Sequence, residues 1–181
     1  MWIILGGGIV LALVIAGIYN VFVRGKNLVQ EAWSGIDVQL KRRHDLIPGF
    51  VDVVKGYVQH ERVTLEKVVE LRSKATGTTD LARRAELENG ISQGLKSIFA
   101  VVEGYPNLKA DQHFLELQKT LTQVEDEIQL ARRYYNGKVR DYNITVESFP
   151  NSLLARVFEF KKAEFFEIES ATERAVPDLK L

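Results

Sequence analysis

The feature that most restricts this chain is the run from Trp2 to Val23, "WIILGGGIVLALVIAGIYNVFV", which carries no charged side chain and only one strongly polar one, Asn20. As a helix the run extends about 33 Å at about 1.5 Å per residue, enough to cross the hydrocarbon core of a bilayer. Trp2 and Tyr19 stand near its two ends, where amphipathic rings prefer the interface. A cleaved signal peptide is the rival reading. It fits less well, because no Lys or Arg precedes the run, the apolar stretch is too long, and no A-x-A site follows. Residues 1–23 are therefore read as a transmembrane anchor.

The flanks give an orientation. Only Met1 precedes the span, whereas Arg24, Lys26, Lys41, Arg42 and Arg43 follow it. The positive-inside rule places the N-terminus outside and everything from Arg24 onward in the cytoplasm, so the protein is expected to cross the membrane once. Within the span Gly8, Ala12 and Ala16 lie four residues apart along one helix face. Such small-residue stripes let transmembrane backbones approach closely and pack. The plainer reading is that Gly and Ala are simply frequent in membrane helices.

The rest of the chain reads as all-α. Val29, Ile36, Phe50 and Tyr57 fall seven or fourteen residues apart, and Trp33, Leu40, Ile47, Val54 and Val68 form a companion seam. This heptad-like, coiled-coil pattern, interrupted at Arg43 and Glu61, predicts one long helix from Asn27 to about Ala75 that follows the span almost directly. "TGTTD" at Thr76–Asp80 is a stop and restart, with Gly77 ending one helix and Thr79 or Asp80 capping the next. That second helix carries Leu81, Ile91, Leu95, Ile98 and Val102, and Gly104 and Pro106 end it. A third, capped by Asp111, has Phe114, Leu121, Ile128, Tyr135 and Tyr142 at strict sevens, with Leu117, Val124 and Ala131 between them. A short fourth helix is expected over Ser152–Lys162, followed by a weakly helical or extended tail. The expected fold is an antiparallel helical bundle over residues 24–163, three long helices and a short fourth, with residues 164–181 as the tail.

Composition and motifs leave little room for chemistry. Lys plus Arg and Asp plus Glu balance at 24 each, so no basic field favours nucleic acid. With no Cys there is no disulfide framework, thiolate nucleophile or Cys-based metal site. His44, His60 and His113 are far apart in sequence, and "HERVT" lacks the second His of a zinc-binding H-E-x-x-H, so all three are read as exposed polar residues. No phosphate loop and no G-x-S-x-G accompany the glycines and serines. "GGG" at Gly6–Gly8 falls inside the span, which excludes a dinucleotide loop. The acids Glu125, Asp126 and Glu127 lack the E-x-x-H partners of a di-metal site and read as a solvated face. The expectation is no catalytic residue, no metal and no cofactor.

The densest polar stretch is "IDVQLKRRHDLIPG", Ile36–Gly49. On the heptad grid Arg43 falls on the seam between Ile36 and Phe50. A buried Arg is costly without a carboxylate, so a partner on another helix is expected, and Glu125 beside the Val124–Ile128 seam is the candidate. Such a pair would set register more than add stability. The alternative, an Arg43 that reaches along the bundle surface to water, stays open. A lipid-binding role is weakened by distance: Arg43 lies about 20 residues past the span, roughly 30 Å along a continuous helix, against a Debye length of about 8 Å. Pro48 and Gly49 sit inside the helical pattern, and because the seam keeps its phase across them a kink is expected there.

These same residues carry a resemblance. "IDVQLKRRHDLIP", "VKGYVQHE", "EGYPNLKADQHFLELQ", "EDEIQLARRYYNGKVRDYN" and "FP" at Phe149–Pro150 closely resemble the LemA family of bacterial membrane proteins, in order and across nearly the whole chain. Gly49 departs from the Asn expected in the family pattern, which makes the bend after Pro48 more permissive. The resemblance implies one N-terminal transmembrane helix in the bacterial cytoplasmic (inner) membrane, a small outside N-terminus and a cytoplasmic helical domain. It also implies an unsettled molecular function, with genes of membrane metalloproteases and TPM-domain proteins often nearby. Three functions are compatible with the sequence. The leading expectation is a non-enzymatic membrane scaffold or adaptor that self-associates or engages another membrane protein and supports envelope maintenance or stress response. The second is a relay that passes a conformational change through the kinked first helix. The third, a hydrolase, lacks a nucleophile–base pair or metal set.

Overall fold

The computed structural model describes residues 2–58 and 61–166. They form six α-helices and no strand: α1 (Trp2–Lys55), α2 (Arg62–Gly77), α3 (Leu81–Val102), α4 (Pro106–Lys109), α5 (Gln112–Glu147) and α6 (Asn151–Val157). α1 is long and apolar enough near its N-terminus to cross a membrane, by length and composition. Leu5, Leu11 and Leu13 there are more than half exposed. The same helix then runs through Gly25 without a break into its amphipathic part.

The caps follow from side-chain chemistry. Asp80 accepts a hydrogen bond from the Arg83 amide at 2.6 Å and starts α3. Asp111 accepts from the Phe114 amide at 2.9 Å and starts α5. Each satisfies an amide that the first helical turn leaves unpaired.

Three boundaries differ from the sequence expectation. The helix expected to run to Ala75 ends at Lys55, and α2 begins afresh at Arg62. Gly56 donates to the Val53 carbonyl at 3.2 Å and Tyr57 to that of Val54 at 3.0 Å, a tightened last turn at a residue with poor helix propensity. Tyr57, expected on the seam, is exposed, and its hydroxyl donates to Asp111 at 3.0 Å. Pro106 opens the extra turn α4, using the first helical position where its missing N–H costs nothing. α6 stops at Val157, not near Lys162. There Glu159 adopts φ 57°, the Phe160 amide donates to the Ala155 carbonyl at 2.9 Å, and the Glu159 amide donates to that of Arg156 at 3.4 Å. This is a Schellman ending with Glu where glycine is usual. Phe149–Pro150, just before α6, is a cis peptide. Of the expected tail, residues 167–181 lie outside the described residues.

The chain forms two compact units. Among the described residues the first comprises 2–41 and 126–165, so it draws on the start of α1, the end of α5 and α6. Phe22, Tyr142, Val146 and Ala155 form its core with Ile18, Val29, Leu154 and Phe160. Trp33 meets Tyr135 edge-on at 5.5 Å between centroids. A Cβ on Gly25 would stand 2.9 Å from the Tyr142 ring, so only glycine lets α1 and α5 approach this closely. Asn143 holds the segment after α6 in both directions: its amide donates to the Ala163 carbonyl at 3.0 Å and its side-chain oxygen accepts from the Ala163 amide at 2.8 Å.

Among the described residues the second unit comprises 42–58, 61–125 and 166. Its core gathers Ile47, Phe50, Val54, Leu65, Val68, Ile91, Leu95, Ile98, Phe114 and Leu121, all at most 2% exposed. Each such side chain contributes about 1.5–3 kcal/mol when fully buried. Gly90 and Gly94, one turn apart on α3, receive Leu71 and Val68 of α2. Added Cβ atoms there would stand 2.9 and 2.4 Å from those side chains.

Candidate functional site

Inside the second unit the apolar seam is interrupted by a cluster of charge. Arg43 on α1 is 0% exposed and Glu88 on α3 is 1% exposed. One guanidinium nitrogen, Nη1, donates to Glu125 Oε1 on α5 at 2.5 Å and to Ser92 Oγ on α3 at 2.7 Å. The other, Nη2, donates to the Glu88 carboxylate and to the Glu88 carbonyl, the latter at 3.2 Å. Ser92 in turn donates to Glu125 Oε2 at 2.6 Å, so one hydroxyl links the cation to the acid on α5. His44 Nε2 lies 3.1 and 3.2 Å from the two oxygens of Glu88. Since a carboxylate only accepts, that nitrogen carries the proton. Arg84 Nε stands 4.0 Å from the same carboxylate.

The helical register puts these groups together. Arg43 follows Ile36 by seven residues and precedes Phe50 by seven, and Glu88 lies between the buried Ala85 and Ile91 on α3. Burial pushes the Glu88 carboxyl up. The hydrogen bond from His44 and the positive charge of Arg43 more than offset this and hold it below the ordinary carboxylate range. The cation on α1 thus meets carboxylates from two other helices, α3 and α5. Ser92 is engaged by Arg43 on one side and by Glu125 on the other.

A second contact explains how a proline fits inside α1. Pro48 has no N–H, so the carbonyl of His44, four residues earlier, lacks its helical donor. Arg72 Nε on α2 donates to that carbonyl at 2.6 Å. Pro48 and Gly49 are both exposed, which leaves the proline ring on the solvent side. The helix continues seven residues past Pro48.

Arg43 and Glu125 are thus in direct contact, while Pro48 and Gly49 lie on the same helix as Arg43 with their own partner at Arg72. Gly8, Ala12 and Ala16 belong to the first unit and are exposed. Ala12 and Ala16, with Ile15, Tyr19, Asn20 and Phe158, line an open cleft of about 470 Å³. His44 corrects the expectation of an exposed polar residue: it is 7% exposed because Glu88 supplies an acceptor inside the unit. His113 is exposed, and His60 lies outside the described residues. Sequence reasoning missed Glu88 and Ser92. The signal was present, since Glu88 sits on the α3 seam just as Arg43 sits on that of α1, and the rule applied to Arg43 would have found it.

Comparison with known proteins places this geometry. The chain is 29% identical over 155 residues to Protein LemA of Metamycoplasma hominis, covering 85% of this chain and 71% of that protein. It is 22% identical over 184 aligned positions to magnetosome protein MamQ 2 of Paramagnetospirillum magneticum, covering 87% and 68% of the two chains. MamQ of Magnetospirillum gryphiswaldense is 24% identical with the same coverage. None of these names carries an enzymatic activity. The family model for LemA matches residues 32–181, a stretch that includes Arg43, His44, Glu88, Ser92 and Glu125. The chain belongs to the LemA family.

Proposed function

We propose that this protein is a membrane-anchored, non-enzymatic scaffold that self-associates at the cytoplasmic face of the inner membrane or holds another membrane protein there. The observation that carries the reading is α1: one helix includes both the uncovered apolar run and Arg43 at the centre of the charge cluster. An anchor joined to its domain by unbroken helix restricts that domain to the bilayer surface. The order of partners supports an antiparallel arrangement of α1 and α5 within each unit. In the first unit Gly25 meets Tyr142 and Trp33 meets Tyr135. In the second, Arg43 meets Glu125 and Phe50 meets Phe114. The charge cluster acts as the register device of this scaffold. Crosslinking in native membranes followed by mass spectrometry tests the proposal, with homo-oligomer or membrane-protein adducts expected. Monomer alone would count against it.

A second reading, a relay through α1, is favoured by one observation, the pairing of Arg72 with the carbonyl that Pro48 leaves free. A bend at Pro48 and Gly49 held by a neighbouring helix is a place where a change in the span can alter the domain. If so, Pro48→Ala changes cellular output without loss of folding. An unchanged phenotype would remove the reading.

A further inference from the structure

The first unit carries an apolar surface that the anchor alone does not explain. α6 and its flanks expose Phe149 (81%), Leu153 (56%) and Val157 (72%); Leu153 and Val157, four residues apart, share one face of α6, and Phe149 lies just before the helix. Phe158, at the end of α6, is 40% exposed. Four large apolar side chains in ten residues leave much hydrocarbon in contact with water unless something covers it.

The neighbours of this surface say what covers it. The Schellman turn at Glu159 sends Phe158 and Phe160 to the same part of α1, where their rings stand 5.2 and 5.6 Å from that of Tyr19, and Phe160 also meets Phe22 at 4.8 Å. Tyr19 belongs to the uncharged run and precedes Arg24 by five residues, about 7.5 Å further into the membrane at about 1.5 Å per residue. Phe158 also lines the open cleft with Ala12 and Ala16, which lie deeper still. A turn that touches Tyr19 must therefore enter the zone of about 5–10 Å where interfacial helices lie. The polar groups around it suit that depth. Arg24, Lys26, Arg156 and Lys161 are exposed, against the exposed acids Glu159 and Glu164. Lys162 is paired to Glu147 at 2.8 Å.

We propose that α6 and the turn after it form a second membrane contact, with Phe149, Leu153, Val157 and Phe158 inserted between headgroups and acyl chains beside the transmembrane span. The partner is the bilayer itself, and the contact rests on the reading of Trp2–Val23 as a membrane span. It makes the anchor two-pronged and fixes the rotation of the first unit about the span, which a single helix leaves free.

The chain has no cysteine, so single cysteines can carry a spin label without further changes. Full-length protein with Leu153→Cys or Val157→Cys is reconstituted into vesicles containing phosphatidylglycerol. Label accessibility to oxygen and to a water-soluble nickel chelate is then measured. Leu11→Cys in the span and Glu86→Cys, an exposed position on α3, serve as references. The expected result is an oxygen-to-nickel accessibility ratio at positions 153 and 157 several-fold above that at 86 and approaching that at 11. Lipid values at 11 with water values at 153 and 157 overturn the second contact and leave the anchor standing. Water values at 11 overturn the anchor reading itself. Labels at 153 and 157 shielded from both reagents mean that protein, such as a second copy, covers the face, and the bilayer contact is then wrong.

Discussion

Arg43 occupies a position that heptad spacing reserves for an apolar side chain, and the consequences are local and measurable. Its guanidinium joins Glu88, Ser92 and Glu125 directly, and its Nε has no acceptor among the described residues. Arg43→Met therefore leaves Glu88 buried with its main counter-charge gone and is expected to destabilise the fold by about 3–5 kcal/mol. Urea denaturation of the detergent-solubilised protein, followed by circular dichroism, measures this. Replacing Arg43, Glu88 and Glu125 together by apolar residues of similar size is expected to recover most of the loss. Glu88 also gives a pH dependence. Its carboxyl titrates below the ordinary range in the folded protein, so it stabilises above the unfolded value of about 4.3. That contribution fades as pH falls through and below that value. Glu88→Gln is expected to lower stability at neutral pH and to flatten its fall as pH drops through and below about 4.3. An unchanged acid slope would show that other carboxylates govern it.

Among the elements, α1 and α3 each depend on a feature that simple propensity argues against. In α1 the His44 carbonyl has the Arg72 side chain in place of a helical amide. Arg72→Met is expected to cost about 1–3 kcal/mol by leaving that carbonyl unsatisfied. Pro48→Ala restores the helical N–H, so the same Arg72 change should cost clearly less in that background. A double-mutant cycle on unfolding free energies reads the coupling. In α3 the glycines at 90 and 94 would be unfavourable in an isolated helix, yet they admit Leu71 and Val68. Gly94→Leu is expected to destabilise by about 1–3 kcal/mol through overpacking. Gly137→Ala on α5, where an added Cβ meets nothing within 4 Å, should stabilise by up to about 1 kcal/mol, and thermal melts of the two variants test the contrast.

For the whole molecule the expectation is an orientation. Basic residues, Arg24 and Lys26 first, follow the span directly, so a cysteine placed at Trp2 should react with an impermeant thiol reagent from outside intact cells, and one at Glu86 should not. Reversed labelling would invert the topology and move α6 to the other face. Much of this protein is set by sequence alone. The apolar run, the helical class, a cap at Thr79 or Asp80, the cap at Asp111 and the resemblance to the family depend on local composition, period and order, which need no knowledge of neighbours. The Arg43–Glu125 contact is one of two readings the sequence leaves open, a charge on a heptad seam either meeting an opposite charge or reaching water, and the structure shows the pair. Other features rest on which turn of one helix faces which turn of another. The break at Gly56 comes with a hydrogen bond from Tyr57 to Asp111, where the seam period alone would have continued. The burial of His44, the place of Glu88 and Ser92, and the rescue of the proline carbonyl by Arg72 are of the same kind. So is the seating of Phe158 and Phe160 against Tyr19. Each joins residues at least 28 positions apart in the chain, and periodicity within a single helix carries no information about such pairings.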